Sequence, residues 1–163
     1  MMAIALNGSK RMTDGFGPMP KSIKHHEFNK IDGLGSKFSN NTSAVILELV
    51  QGEAGIIPAK KKFVNAIVKL CQKSNALLII DEVQSGVGRT GSLFAYEQYG
   101  IKPDILCSAK GMGNGIPIGA MLTTDKVAQN MNVGMHGSTY GGNPLACAVS
   151  KEVFEIILSL IHI

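Results

Sequence analysis

The chain has 163 residues, 45% of them hydrophobic and 17% charged, with a formal charge of +4. That length supports one sizeable core, since such a domain buries roughly 70% of the surface its unfolded chain exposes, and the composition excludes disorder as the main state. The Lys and Arg residues are scattered and form no basic stripe interleaved with aromatics, which argues against a nucleic-acid partner and leaves a mild positive field suited to anionic metabolites.

Residues 1–43 are punctuated by Gly, Pro and Asn and show little periodicity, so loops and short elements are expected there. Ala44 to Val50 is a short apolar run bounded by polar clusters, which predicts a buried strand. Pro58 is expected to open a helix of about 15 residues, with Phe63, Ile67 and Leu70 on one face and Lys60, Lys61, Lys62 and Lys69 outside. A strand at Ala76–Asp81, a glycine loop, a short helix near Leu93–Tyr99 and a strand at Asp104–Ala109 follow. Ile118–Thr123 reads as a further strand, free to run antiparallel after a tight glycine turn. A last helix should begin near Asn143–Pro144, with Pro in its first turn, and continue through Ile157. The order strand, helix, strand, helix, strand predicts an α/β fold with a mostly parallel sheet covered by helices.

The nineteen glycines exceed the roughly 11 expected at a usual frequency of ~7%. They gather at Gly86–Gly91, Gly111–Gly119 and Gly134–Gly142, where backbone must turn sharply or approach a ligand. Cys71, Cys107 and Cys147 are odd in number and widely spaced, unlike a zinc site or a disulfide scaffold, and fit a reducing compartment. No stretch reaches the ~18 apolar residues of a membrane span, and the N-terminal residues show no basic region followed by an apolar run; a cytoplasmic protein is expected. The last helix has no glycine or proline stop, so the chain reads as a fragment.

Two groups stand at predicted strand ends: Asp81, closing Leu-Leu-Ile-Ile-Asp, and Lys110, delivered by the second strand into Gly-Met-Gly-Asn-Gly. An acid after an apolar strand also suits a magnesium-dependent nucleoside triphosphatase, but that needs a Gly-x-x-x-x-Gly-Lys-Ser/Thr run, which is lacking here. Gly86-Val-Gly88-Arg-Thr-Gly91 has the dinucleotide spacing, yet Asp81–Ser85 separates it from its strand and Asp104 begins the next strand where an acid should end it. In an open parallel sheet, ligands bind outside the carboxyl ends of the strands. A carboxylate there can pair with a protonated pyridine nitrogen, and a lysine amine can form a Schiff base, which are the two groups pyridoxal 5'-phosphate chemistry needs most.

Three segments, Asp81–Gly91, Ser108–Gly119 and His136–Leu145, carry Asp-Glu-Val-Gln-Ser-Gly-Val-Gly-Arg-Thr-Gly, Ser-Ala-Lys-Gly-Met-Gly-Asn-Gly-Ile-Pro-Ile-Gly and His-Gly-Ser-Thr-Tyr-Gly-Gly-Asn-Pro-Leu. In that order and spacing they resemble the class III pyridoxal phosphate-dependent aminotransferases, and within the family the acetylornithine-using branch. The resemblance spans about Met2 to Ile157. It implies that residues 1–158 are a partial pyridoxal phosphate-binding large domain of the aspartate-aminotransferase-like fold and 159–163 a truncation scar, with Lys110 as the Schiff-base lysine and Asp81 as the pyridine-nitrogen partner. It further implies Val83 on the ring face, Gln84 near the ring hydroxyl and Glu82 among the cofactor contacts. Thr139 would bind the cofactor phosphate of the neighbouring subunit, Ser138 would lie beside the substrate, and Glu53 would line the pocket and discriminate the amino donors.

The implied reaction moves an amino group from N-acetylornithine to 2-oxoglutarate in arginine biosynthesis, in a homodimer with shared active sites and no membrane or nucleic-acid partner. Ornithine, succinylornithine, succinyl-diaminopimelate and 4-aminobutyrate remain open as donors, as does an inactive structural fragment. Each residue also has an ordinary alternative: a solvated charge for Lys110 and Glu53, a strand-end cap for Asp81, a core side chain for Val83, a loop amide for Gln84, and turn or helix-cap hydroxyls for Ser138 and Thr139. Arg89 is expected to fix its own loop, and His25–His26–Glu27 to lie at the surface. The family's phosphate loop, ring-stacking aromatic and carboxylate-binding arginine are expected upstream of Met2, and its small domain downstream.

Overall fold

The computed structural model describes residues 2–160. Before Ser43 the chain holds two short helices, α1 (Met2–Leu6) and α2 (Lys10–Thr13), and a single 3-10 turn at Gly35–Lys37. Strand β1 (Ala44–Glu48) starts the sheet. The apolar run does not continue to Val50 as one strand. It breaks at the fully buried Leu49, and β2 (Val50–Gln51) turns aside to pair antiparallel with β3 (Ile57–Pro58). Pro58 thus lies in a two-stranded ribbon, whose edge tolerates the missing N–H, and does not open the helix as expected. Helix α3 begins at Lys61 and runs to Ser74.

Helical spacing collects Phe63, Val64, Ile67 and Cys71 of α3 into one buried stripe and leaves Lys61, Lys62 and Lys69 in water. Each such apolar side chain contributes about 2 kcal/mol by leaving water, before the entropy of ordering is counted. Asn75 ends the helix in the left-handed region, φ 53°, with its N–H bonded to the Cys71 carbonyl. Burial, with the negative charge of Asp104 added, pushes the Cys71 thiol up to about 11, so it packs as a neutral group.

Strand β4 (Leu77–Asp81), helix α4 (Tyr96–Tyr99) and strands β5 (Ile105–Ser108) and β6 (Ala120–Thr123) come next, followed by α5 (Asp125–Ala128) and α6 (Pro144–Leu160). The sheet order is β1-β4-β5-β6; the first three strands are parallel and β6 runs antiparallel to β5. The expected α/β, mostly parallel architecture is what forms. Helix α6 includes Ser159 and Leu160, so the supposed scar begins as continuous helix; residues 161–163 lie outside the described residues.

Alternation along β4 buries Leu78 and Ile80 against the α3 stripe with Leu49, Ala95 and Ile101, and leaves Leu77, Ile79 and Asp81 half-buried on the other face. Asp104 fastens the start of β5: its carboxylate accepts the Leu78 N–H at 2.8 Å, and its carbonyl accepts the Thr123 hydroxyl at 3.0 Å. The Tyr99 hydroxyl donates to the Ala59 carbonyl at 2.8 Å, tying α4 to the chain between β3 and α3. Among the described residues no helix is long and apolar enough to cross a membrane.

Candidate functional site

Parallel pairing carries the carboxyl ends of β1, β4 and β5 to one end of the sheet. Glu48 lies opposite Asp81, and Asp81 opposite Cys107, so the three share a row and a face. Lys110 follows two residues after Ser108, the last of β5. Glu48 registers both of the groups singled out from the sequence. Burial raises its carboxyl above the usual glutamic acid range, the negative charge of Asp81 raises it further, and the positive charge of Lys110 pulls it back down. Asp81 and Lys110 therefore act on one carboxyl group at one end of the sheet. The Cys107 thiol is likewise raised, by burial first and by Asp81 second.

Each group is held by local structure. One carboxylate oxygen of Asp81 accepts the Val83 N–H at 2.9 Å, which fixes the acid at the mouth of the loop. Lys110 is exposed and has left-handed backbone, φ 47°, at the start of a 3-10 turn over Lys110–Gly113. For a side-chain-bearing residue that conformation costs about 1–2 kcal/mol, and such strain gathers at functional positions. Helix α6 packs on this turn, and a Cβ on Gly88 would lie 3.1 Å from the Ile157 Cγ2 of the same helix, so α6 supports both loops.

Val83 and Gln84 are half-buried, and Gln84 Nε2 donates to Glu53 Oε1 at 3.2 Å. Glu82 is fully buried, with its carboxylate accepting the Ser85 hydroxyl at 2.6 Å and the Tyr96 N–H at 2.8 Å, while its own N–H donates to the Cys107 carbonyl. Those bonds close the loop from inside, so its side chain braces the neighbouring residues. Gly86 is needed beside it, because a Cβ there would stand 2.7 Å from the Glu82 carbonyl oxygen. Arg89 is exposed.

Ser138 and Thr139 belong to an exposed segment, residues 131–142. Ser138 Oγ accepts the Gly141 N–H at 3.1 Å, a turn bond. Neither residue joins the cluster around Asp81 and Lys110 through a hydrogen bond among the described residues. His25 and His26 bond separate backbone carbonyls, those of Ala5 and Lys30. No helix opens from Gly86–Gly91, and α4 starts only at Tyr96, which removes the dinucleotide-loop alternative.

Two residues escaped the sequence reading. Glu48 ends its strand as Asp81 does, but Leu49 and Val50 extend the apolar run and hide that end. Gly52 lies directly against the Gln84 carboxamide. The site thus offers a half-buried carboxylate for a cationic ring nitrogen, a primary amine for a carbonyl carbon, a carboxamide for a polar ring substituent and an aliphatic side chain for a ring face. That donor set fits pyridoxal phosphate.

Residues 1–160 match the family Aminotransferase class-III. The acetylornithine aminotransferase of Pseudomonas putida is 50% identical over 157 residues, 96% of this chain and 39% of that protein. Ornithine aminotransferase from Toxoplasma gondii ME49 superposes with a TM-score of 0.91 at 33% identity, over 97% of this chain and 38% of that one. N-acetylornithine aminotransferase from Stenotrophomonas maltophilia K279a gives a TM-score of 0.71 at 39% identity, over 84% of this chain and 37% of that one. The chain thus spans well under half the length of the relatives it matches.

Proposed function

The chain belongs to the class-III aminotransferase family, and from that premise we propose that it is the cofactor-binding core of a cytoplasmic transaminase moving an amino group from N-acetylornithine to 2-oxoglutarate in arginine biosynthesis. The observation that supports this reading is that Asp81 ends β4 and Lys110 follows β5 by two residues, at the carboxyl ends of adjacent parallel strands, with the charges of both bearing on the Glu48 carboxyl. The donor is read from the relatives named for acetylornithine. The family's upstream phosphate loop and its small C-terminal domain would complete the full-length enzyme.

Pyridoxal phosphate, when bound, supplies an aldehyde carbon open to amines and a ring that withdraws electrons from the carbon bearing the amino group. Asp81 would hold it at the ring nitrogen, where a buried negative charge keeps that nitrogen protonated; the Val83 N–H fixes one carboxylate oxygen for the task. Lys110 Nζ would hold the aldehyde end and, as a free amine, would carry a proton from the donor's amino-bearing carbon to the former aldehyde carbon. Val83 would cover a ring face and exclude water, and Gln84 would donate from its carboxamide to the ring hydroxyl. Thr139 would serve the phosphate of the neighbouring subunit, with Ser138 beside the substrate, which makes the active form a homodimer with shared sites. Glu53 would line the pocket and help tell the two amino donors apart.

Borohydride reduction of the cofactor-loaded full-length enzyme should leave the cofactor's mass on the peptide containing Lys110. Lys110→Ala should lower turnover by at least ~10³-fold. A label on any other lysine would overturn the mechanism. Faster turnover of ornithine, succinylornithine or 4-aminobutyrate than of N-acetylornithine would overturn the substrate and leave the mechanism standing.

A further inference from the structure

Gly52 stands between the two acidic ends of the site without carrying a side chain of its own. Its Cα is roofed by the carboxamide of Gln84: a Cβ built on Gly52 would fall 2.1 Å from Gln84 Oε1, 2.6 Å from Cδ and 3.1 Å from Nε2. No real Cβ contact is that short, so any side chain at position 52 evicts this carboxamide. Gln84 in turn holds its place by donating from Nε2 to Glu53 Oε1 at 3.2 Å, the residue next to Gly52.

Backbone conformation does not explain the glycine, because Gly52 is not among the residues with positive φ. An alanine could take its φ and ψ without left-handed strain. What alanine could not do is leave Gln84 where it is. The atoms it would meet are the far end of a flexible side chain, so the backbone could stay and the carboxamide alone would have to swing away.

The geometry points to Gly52 as a positioning residue that, by lacking a side chain, seats the Gln84 carboxamide between the β1 end and the loop after β4. This rests on the reading of Gln84 as a cofactor contact. Gly52 keeps the amide in one orientation, with Nε2 committed to Glu53. A single missing methyl thus links the chain after β1 to the loop after β4.

The test uses the full-length enzyme with Gly52→Ala, Gln84→Ala and the double variant. A crystal structure of cofactor-free Gly52→Ala should show Gln84 Nε2 detached from Glu53 while the backbone at position 52 keeps its place. Titration with pyridoxal phosphate should give a roughly tenfold loss of affinity in Gly52→Ala, the scale of one hydrogen bond, with a displaced absorption maximum of the bound cofactor. Gln84→Ala should show the same loss, and the double variant no more than Gln84→Ala alone, since both lesions remove one contact. The inference is overturned if Gln84 keeps its place in Gly52→Ala, if Gly52→Ala binds cofactor normally while Gln84→Ala does not, or if the two losses add. Normal affinity and spectrum in Gln84→Ala would instead remove Gln84 from the cofactor site, and the inference with it.

Discussion

The row at the strand ends and the segment 131–142 carry two groups of site residues with opposite surroundings. Glu48, Asp81 and Cys107 sit in register on three paired strands, and the loops beyond them are tied by Glu82 to Ser85 and Tyr96. The segment bearing Ser138 and Thr139 is exposed throughout, with Val133 and Tyr140 among its uncovered side chains. One half of the candidate site is therefore built by this chain's own core. The other half is presented outward, where a second subunit could use it. Folding energy and assembly can then be altered separately, because the residues that define them share few contacts.

The largest effect that could break this comparison is complementation between subunits. In the full-length enzyme, Lys110→Ala and Thr139→Trp should each abolish measurable transamination as homodimers. If Thr139 serves the neighbouring subunit, a mixed dimer puts both lesions into one site and leaves the other intact. Turnover should then return to about a quarter of wild type after random reassociation, since half of the dimers are mixed and each has one working site. Verified mixed dimers without activity would assign Thr139 to its own chain's site or to none.

A second comparison sets packing against exposure within this chain. Ile67 is 2% exposed in the α3 stripe beneath β4, and Val133 is fully exposed. Ile67→Ala should cost about 2–5 kcal/mol in urea unfolding, through lost transfer energy and the cavity left behind. Val133→Ala should stay within about 0.5 kcal/mol. Equal losses would show that 131–142 packs against something within the chain and would erase the contrast between the regions.

How much could be read from the sequence divides along the same line. The strands around Asp81 and Lys110 were legible because an apolar run ended by a single charged or glycine-rich stop leaves few alternatives in a parallel sheet. Glu48 was not, because Leu49 is buried by a turn of the chain and not by strand alternation, so the apolar run outlasts the strand. Pro58 misled for a related reason: a proline before a lysine-rich amphipathic stretch marks a helix start, yet pairing with Val50 claimed it for a ribbon. Glu82 carried no sign of its burial, since the partners that bury it, Ser85 and the Tyr96 N–H, are brought together only by closure of the loop. Gly52's fit to Gln84 depends on a contact 32 positions apart, which no local pattern reveals.

The smallest effect is also the most direct check that Glu48, Asp81 and Lys110 share one face. The Glu48 carboxyl is raised above its ordinary value of 4.5, chiefly by burial and then by Asp81, with Lys110 opposing. A carboxyl raised in the folded state binds its proton more tightly there than in the unfolded chain. Its contribution to stability is therefore fullest below pH 4.5 and is lost as pH rises through the folded value. Glu48→Gln should accordingly gain stability relative to wild type across that window and hold a constant difference above it. A carboxyl-resolved NMR titration separates the causes. In Asp81→Asn the Glu48 midpoint should fall, because a like charge has gone, and in Lys110→Ala it should rise, because an opposing positive charge has gone. If neither substitution moves it, the two groups do not face Glu48, and the strand-end cluster loses the electrostatic coupling that distinguishes it from the exposed segment.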